Sequence, residues 1–227
     1  MSEQAKHHSN YTVSNYKGEY MKKCVFSLNL FLIITISNVI LYGSATNDIK
    51  LFTQGKRVTY STKNNPKAKG LEISLEYPIS WKAEEGQRPN IVQKFTGFDD
   101  LNNLVQVILS IKDIPLNEKK PHNEREILNT IKNMVNTSGG SCLEIGSTKI
   151  ENEDAYWVIY NLITERANLR LRAKIMMYIF LYDNKYIQFQ CIIGGITSDP
   201  TIDQRFIDYM PVFQLIMNSI IFTDKWR

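Results

Sequence analysis

Few residues of this 227-residue chain have the types and spacing that catalysis would need. The histidine nearest to the patterned part of the chain is His122, which lies among Pro, Lys and Asn and could act as a general base. No nucleophile elbow, HExxH pair, Cys-x-x-Cys pair or phosphate-binding glycine loop occurs. The sequence therefore favours a protein without catalytic residues, metal or cofactor. A hydrolase that uses His122 is the weaker alternative.

Three basic residues form the strongest candidate for binding. Arg170, Arg172 and Lys174 are even positions at the start of a strand whose odd positions are apolar from Leu169 to Leu181. The even positions become apolar further along, so we expect a helix to cover only that second half. The basic first half would then stay open for an anionic partner. The alternative is a solvated strand face whose charges only keep the protein soluble.

Residues 21–45 resemble an export signal in their order of charge, apolar run and small residues. Lys22 and Lys23 precede an apolar run from Cys24 to Leu41, and small residues follow up to Ala45. This order is typical of a secretory signal peptide, and we predict cleavage after Ala45. An uncleaved anchor helix is the alternative, because the run is long enough to span a bilayer.

The signal segment divides the chain into parts. Residues 1–20 are too polar to fold, and we expect them to be disordered or not translated. We interpret residues 46–69 as a polar linker, residues 70–222 as one domain and residues 223–227 as a tail. The exported chain would lie in the periplasm or outside the cell, or stay anchored to the inner membrane if the signal is retained.

Charge and cysteine content limit the partners. Residues 46–227 carry 23 basic and 21 acidic residues, a net charge of +2, whereas a nucleic-acid-binding domain is normally strongly basic. We therefore expect no nucleic-acid partner. Cys142 and Cys191 remain after cleavage, and an exported chain with two cysteines favours one disulfide. Two buried thiols are the alternative.

Most of the domain is predicted as strands. Apolar and polar residues alternate from Leu71 to Leu75, ahead of Tyr77-Pro78, which is typical of a half-buried strand. Other predicted strands are Ile91–Phe95, Leu104–Ile114, Leu143–Ile150, Tyr156–Thr164, Leu169–Tyr182 and Tyr186–Ile193. A short one near Arg57–Ser61 and a return towards the sheet at Ile220–Phe222 complete the set.

Two segments have helical periodicity. Apolar residues recur every three or four positions from Ile127 to Val135, Asn123 can cap the first turn, and Gly139-Gly140 stops the helix. A second apolar stripe follows Asp199-Pro200 and contains Pro211, which should kink or divide the helix. The predicted fold is α+β: an antiparallel sheet of about six to seven strands with amphipathic helices on its faces.

Two short stretches carry a family resemblance. Residues 71–95 have a strand ending in Tyr77-Pro78, then Trp81, then a strand headed by Asn90, and residues 211–222 end in Ser-Ile-Ile-Phe. These features resemble PsbP-like domains, relatives of a photosystem II extrinsic protein and of a Ran-binding protein. The resemblance implies an αβα sandwich that serves as a binding scaffold, with Tyr77, Pro78 and Trp81 in structural roles.

Together these observations predict an exported, non-catalytic accessory or binding protein of the bacterial cell envelope. Its partner would be another envelope protein or a small ligand, and it would contact the membrane only through an uncleaved signal segment. A chaperone-like adaptor for a secreted protein is the alternative, and it would require the chain to remain in the cytoplasm.

Overall fold

The structure is a computed structural model that describes residues 44–114 and 123–226. Residues 21–43 of the predicted signal segment, the residues before it and His122 lie outside the described residues. Helices α1 to α3 and strands β1 to β10 follow in chain order, with short 3₁₀ turns at Pro66–Ala68 and Thr223–Trp226. In order, the elements are α1 Ala45–Thr53, β1 Arg57–Ser61, β2 Ile73–Pro78, β3 Lys82–Glu85, β4 Ile91–Phe98, β5 Leu104–Asp113, α2 Glu124–Thr137, β6 Gly140–Ile150, β7 Glu153–Arg166, β8 Leu169–Tyr182, β9 Lys185–Ile196, α3 Ile202–Asn218 and β10 Ile221–Phe222.

Seven strands form one antiparallel sheet in the order β3-β4-β5-β9-β8-β7-β6. The four strands β6 to β9 are joined by two-residue turns in which both residues have positive φ, as primed hairpin turns require. These turns are Glu151-Asn152, Ala167-Asn168 and Asp183-Asn184. Short turns therefore force neighbours in sequence to be neighbours in the sheet.

One face of this sheet carries the larger core. A small antiparallel sheet, β1-β2-β10, packs there with α1 and α3. Phe180 of β8 meets Phe189 of β9 and Phe222 of β10 edge to face, with ring centroids 6.1 and 6.0 Å apart. The even positions of β8 from Met176 onward face this core.

The other face carries a smaller core under α2. Ile131 and Val135 of this helix pack on a second cluster of buried residues from β7 and β8. That cluster contains Tyr156, Val158, Tyr160, Ile175, Met177 and Ile179. The large sheet is thus the middle layer, which confirms the predicted α+β sandwich.

Several predicted elements agree closely with the structure. β8 has the predicted bounds, and α2 begins after Asn123, whose side chain accepts a hydrogen bond from the backbone N–H of Glu126 at 3.0 Å. α3 runs without interruption through Pro211, so the proline does not divide it. Among the described residues, no helix combines the length and apolar content that crossing a membrane requires.

The prediction of a linker over residues 46–69 is wrong. This segment contains α1, β1 and a 3₁₀ turn, and Phe52 and Ala68 are buried in the larger core. Ser44 caps α1 by accepting a hydrogen bond from the backbone N–H of Asn47 at 3.2 Å. The polar composition hid this helix because only a few of its side chains are buried. Ala45, after which we predict cleavage, is its first residue.

Candidate binding site at the open end of the sheet

The face of the large sheet under α2 is covered over only part of its length. Ile175 and Met177 of β8 are buried beneath the helix, with at most 4% of their surface exposed. Earlier on the same strand, Leu171 and Ala173 point to the same face but are only partly buried, and Leu169 is exposed. The apolar face therefore continues past the helix towards one end of the sheet.

A groove of about 850 Å³ lies on this uncovered end, and we call it the end groove. Its floor crosses three neighbouring strands, where Leu162, Ala173 and Gly194 are paired. Two loops, residues 99–103 and 197–201, form its rim. The lining residues are Leu101, Asn102, Asn103, Leu104, Leu162, Thr164, Leu171, Arg172, Ala173, Ile192, Gly194, Gly195, Ile196, Asp199 and Thr201.

Large apolar side chains are unusually exposed around the end groove. Leu101 is 72% exposed, Ile196 51% and Leu104 45%. Contiguous apolar surface of this kind marks contact sites more often than scattered exposed residues do. The arrangement suits an apolar ligand or an apolar segment of a partner.

The first rim loop is held by hydrogen bonds rather than by packing of Leu101. One carboxylate oxygen of Asp99 accepts bonds from the backbone N–H of Leu101 at 3.0 Å and of Asn103 at 2.7 Å. Asn102 has a φ of 63°, which completes the tight loop. The loop thus presents Leu101 to the exterior in a fixed position.

Arg205 of α3 ties both rim loops together from beneath. Its guanidinium donates to Asp99 at 3.2 Å, to Asp199 at 2.8 Å and to the carbonyl of Gly194 at 3.2 Å, while its Nε donates to the Thr201 hydroxyl at 3.1 Å. The side chain of Arg205 is only 8% exposed. A buried charge of this kind is tolerated because all three nitrogens of the guanidinium donate hydrogen bonds.

Close packing and electrostatics both fix this corner of the site. A Cβ on Gly195 would lie 2.9 Å from a carboxylate oxygen of Asp199, so only glycine fits beside the ion pair. Hydrogen bonds from the hydroxyl and the backbone N–H of Thr201 lower the pKa of Asp199, and the charge of Arg205 adds to this effect. Asp199 is therefore an anion at neutral pH.

The predicted basic row is not left open. Arg172 and Lys174 each donate a hydrogen bond at 2.9 Å to Asp203 in the first turn of α3, and the Lys174 ammonium lies 5.3 Å from the Phe206 ring centre. The expectation that a helix leaves this half uncovered is wrong, because α3 begins directly over it. Arg170 remains exposed. On β8 it is the opposite, apolar face that is open at this end.

The predicted disulfide is not formed, and Cys142 and Cys191 are both free thiols. Cys191 faces the larger core from β9, whereas Cys142 packs against the smaller core from β6. Three strand spacings of about 4.8 Å separate β6 from β9, well beyond the Cα separation of about 4.4–6.8 Å that a disulfide allows. Burial raises the pKa of the Cys191 thiol, which keeps it protonated.

The larger core includes Tyr77 of β2 and Trp81, and between them Pro78 is buried at the end of β2. The Tyr77 ring packs against Phe95 with centroids 4.9 Å apart, and the Trp81 backbone N–H donates to the Pro78 carbonyl at 2.9 Å. The indole Nε1 of Trp81 donates to the buried carboxylate of Asp48 at 2.9 Å. This bond attaches α1 to the domain.

Asp48 and Gly97 accommodate that indole ring. The Ser80 hydroxyl also donates to Asp48, and burial nevertheless raises the pKa of this carboxyl group. A Cβ on Gly97 would lie 2.5 Å from Trp81 Nε1, so the ring lies flat on bare backbone. Within residues 44–114 and 123–226, no three His, Cys, Asp or Glu side chains are grouped so that they could hold a metal ion.

Sequence reasoning missed most residues of the end groove. Leu101, Leu104 and Ile196 follow from no motif, and the Arg205 network joins residues that are distant in sequence. One signal was available in the lengths of the elements. A 14-residue helix is about 21 Å long, whereas a 14-residue strand is about 46 Å long, so α2 cannot cover β8.

Comparison with known proteins gives distant structural neighbours. No known protein family and no curated protein matches the chain by sequence. Similar solved structures include cyanobacterial PsbP (CyanoP) from Synechocystis, with 13% identity, a TM-score of 0.48 and coverage of 74% of this chain and 92% of that chain. A PsbP structure is thus among the neighbours, at an identity that assigns no family.

Two further neighbours have still lower identity. LpqN of Mycobacterium tuberculosis, described as involved in cell envelope biogenesis, has 10% identity and a TM-score of 0.44 over 79% of this chain and 97% of that chain. The Saccharomyces cerevisiae Ran-binding protein Mog1p has 5% identity and a TM-score of 0.47 over 75% of this chain and 98% of that chain. Neither likeness says what this chain binds.

Proposed function

We propose that this chain is an exported, non-catalytic binding protein of the bacterial cell envelope and that the end groove is its contact site. The observation that carries the proposal is the open apolar face beyond α2, where exposed Leu101 and Ile196 border a groove of about 850 Å³. Exposing these side chains to water is unfavourable, so burying them against a ligand contributes to binding.

The polar residues of the rim support a binding role rather than catalysis. Arg205, Asp99, Asp199 and Thr201 are engaged with one another, and their bonds hold the two rim loops in place. A general base or nucleophile needs an unengaged group that faces the substrate. These residues instead serve as a rigid frame for apolar contacts.

Export is supported by the sequence. Lys22 and Lys23, the apolar run up to Leu41 and the small residues up to Ala45 have the order of a secretory signal. Cell fractionation of the native host, with the intact mass of the recovered chain, tests this part. Recovery from the envelope fraction is expected, whereas recovery from the cytoplasm would favour the adaptor alternative.

Binding to the end groove can be tested with the neutral apolar dye Nile red. The dye should bind the wild-type chain and fluoresce more strongly than in buffer. Gly194→Leu puts an apolar side chain on the floor of the groove, where an added Cβ clashes with nothing and meets its nearest neighbour at 3.7 Å. This variant should therefore weaken dye binding at least about tenfold, the effect of losing roughly 1.4 kcal/mol of apolar burial.

Thr59→Leu is the matched control for that experiment. It adds a leucine to an exposed position of β1, in the small sheet, and leaves the end groove unchanged. Dye binding should match wild type in this control, and circular dichroism should show that both variants fold. Equal dye binding by Gly194→Leu and Thr59→Leu would contradict the end groove as the contact site.

A further inference from the structure

We infer that the ligand of the end groove is the lipid bilayer, so that this end of the domain lies on a membrane surface. The inference rests on the proposed function, since it names the partner of the same site. Five exposed apolar side chains form the contact surface, which we call the apolar end. They are Leu101, Leu104, Ile163, Leu169 and Ile196.

The apolar end includes both faces of the sheet. Leu169 and Ile196 lie on the face that carries the end groove, whereas Ile163 pairs with Arg172 and points to the opposite face. Each of the three is at least 43% exposed. A pocket for one small ligand would leave Ile163 unused, whereas a flat lipid surface can contact both sides of the sheet end.

The tips of the apolar end are rigid. Leu101 is held by the bonds to Asp99, and Leu169 directly follows the tight turn Ala167-Asn168, whose φ angles are 48° and 65°. Because the backbone at both tips is already fixed, inserting these side chains into lipid costs little further conformational entropy. A fixed backbone at the tips therefore favours insertion of their apolar side chains into a membrane.

Charges of both signs lie at this end, since Asp100 beside Leu101 and Glu165 opposite Arg170 are also exposed. The cations of Arg172 and Lys174 are paired with Asp203, and Arg205 is paired with Asp99, so contact with lipid leaves none of them unpaired. Arg170 is exposed at the same end, close to Leu169. Its guanidinium can bind the phosphate of an anionic headgroup.

The test uses the full chain in vesicles of phosphatidylethanolamine and phosphatidylglycerol. Cys24 and Cys142 are replaced by Ser, and Cys191 is fully buried and stays unlabelled. A cysteine introduced by Leu169→Cys or by the control Leu143→Cys then carries an environment-sensitive nitrobenzoxadiazole dye. Leu143 is 46% exposed, like the apolar end, but lies on the edge strand β6.

Blue-shifted emission and quenching by spin-labelled lipids are expected from position 169 but not from position 143. Adding Leu101→Asp should reduce the quenching at position 169 about tenfold, because a charged tip no longer enters the bilayer. Circular dichroism of each labelled chain confirms that it is folded. Equal quenching at both positions, or none at position 169, would overturn the inference.

The same variants separate the two proposals. If Nile red still binds the wild-type chain and not Gly194→Leu, but position 169 is unquenched, the end groove is a contact site for a soluble or protein partner and the lipid inference is wrong. If Gly194→Leu also binds the dye normally, both proposals fail. Dye binding at the groove together with quenching at position 169 supports both.

Discussion

The two halves of the apolar row on β8 have the same chemistry but different surroundings. Ile175, Met177 and Ile179 lie under α2 and are at most 4% exposed. Leu169 is 56% exposed and Leu171 is only partly buried, although both point to the same face. We call these the covered half and the open half. The covered half builds the smaller core, whereas the open half contributes little to packing within the chain.

The difference shows that an apolar strand face is not evidence of a core until something covers it. The helix that follows β5 is too short to cover the strand, and the rim loops leave the remaining apolar positions open to the exterior. The buried Arg205 network then keeps that open half in a fixed shape. The open half is an apolar surface that the fold holds rigid but leaves uncovered. Contact with another molecule explains such a surface better than a contribution to the stability of the fold does.

The largest effect should come from breaking the frame of the open half. Arg205→Met leaves Asp99 and Asp199 without their cation, and removing one partner from a buried ion pair costs about 3–5 kcal/mol. The free energy of unfolding, measured in urea, should fall by that amount. Arg170→Met, at an exposed position, should change it by less than about 0.5 kcal/mol. Equal effects of the two variants would show that the network does not hold the rim.

A second comparison sets one residue of each half against the other. Ile175→Ala opens a cavity beneath α2 and should reduce the free energy of unfolding by about 2–5 kcal/mol. Leu169→Ala removes a similar side chain from the open half and should reduce it by less than about 1 kcal/mol, since Leu169 is 56% exposed and little packing is lost there. Urea unfolding of both variants decides the matter. Similar losses would mean that the open half is part of the core.

Acid should weaken the salt bridges made by Asp203 in α3 and by Asp199 in the loop before it. A hydrogen bond from Lys174 lowers the pKa of Asp203 below its ordinary value of 3.8, and Thr201 does the same for Asp199. A lowered pKa in the folded state means stabilisation that is present above about pH 4 and is lost as pH falls through the folded-state value. The melting temperature should therefore fall below pH 4.

Asp203→Asn is the control for that acid dependence. The amide cannot ionise, so the part of the fall that comes from Asp203 should disappear. The buried Asp48 acts in the opposite direction, because burial raises its pKa and its protonated form is favoured by folding. A melting temperature with the same acid dependence in wild type and Asp203→Asn would contradict the role of this pair.

The smallest expected effect concerns reactivity rather than stability. Cys142 is partly exposed at the edge of the sheet, whereas Cys191 is fully buried and burial raises its thiol pKa. In a Cys24→Ser chain, a thiol reagent should label one cysteine in the folded state and two in denaturant. A folded chain with no reactive thiol would indicate that Cys142 and Cys191 are joined, and would contradict the sheet order.

Local patterns predicted much of the fold. Apolar odd positions from Leu169 to Leu181 and the turn at Asp183-Asn184 predicted the bounds of β8, and the cap at Asn123 with the glycines after the helix located α2. β3 was missed because Lys82–Glu85 has no alternation and becomes a strand only by pairing with β4. α1 was missed because its attachment depends on Asp48 meeting Trp81, a contact between residues that are distant in sequence.

The site was harder to predict than the fold. The basic residues Arg172 and Lys174 looked free because nothing in the sequence places Asp203 beside them. The pair Cys142 and Cys191 looked suited to a disulfide because sequence does not show that their side chains lie on opposite faces. In both cases the answer depends on which elements lie next to each other in the fold. Periodicity in the sequence only indicates the arrangement of residues within one element.

The most direct test of the account is site-specific photo-crosslinking in the native host. A photoreactive p-benzoylphenylalanine replaces Leu171 in the open half or, as the control, Thr59 on exposed β1. We expect adducts to lipid or to a partner from position 171 and none from position 59. Adducts from both positions alike, or from neither in a chain that is folded and exported, would contradict the open half as the contact site.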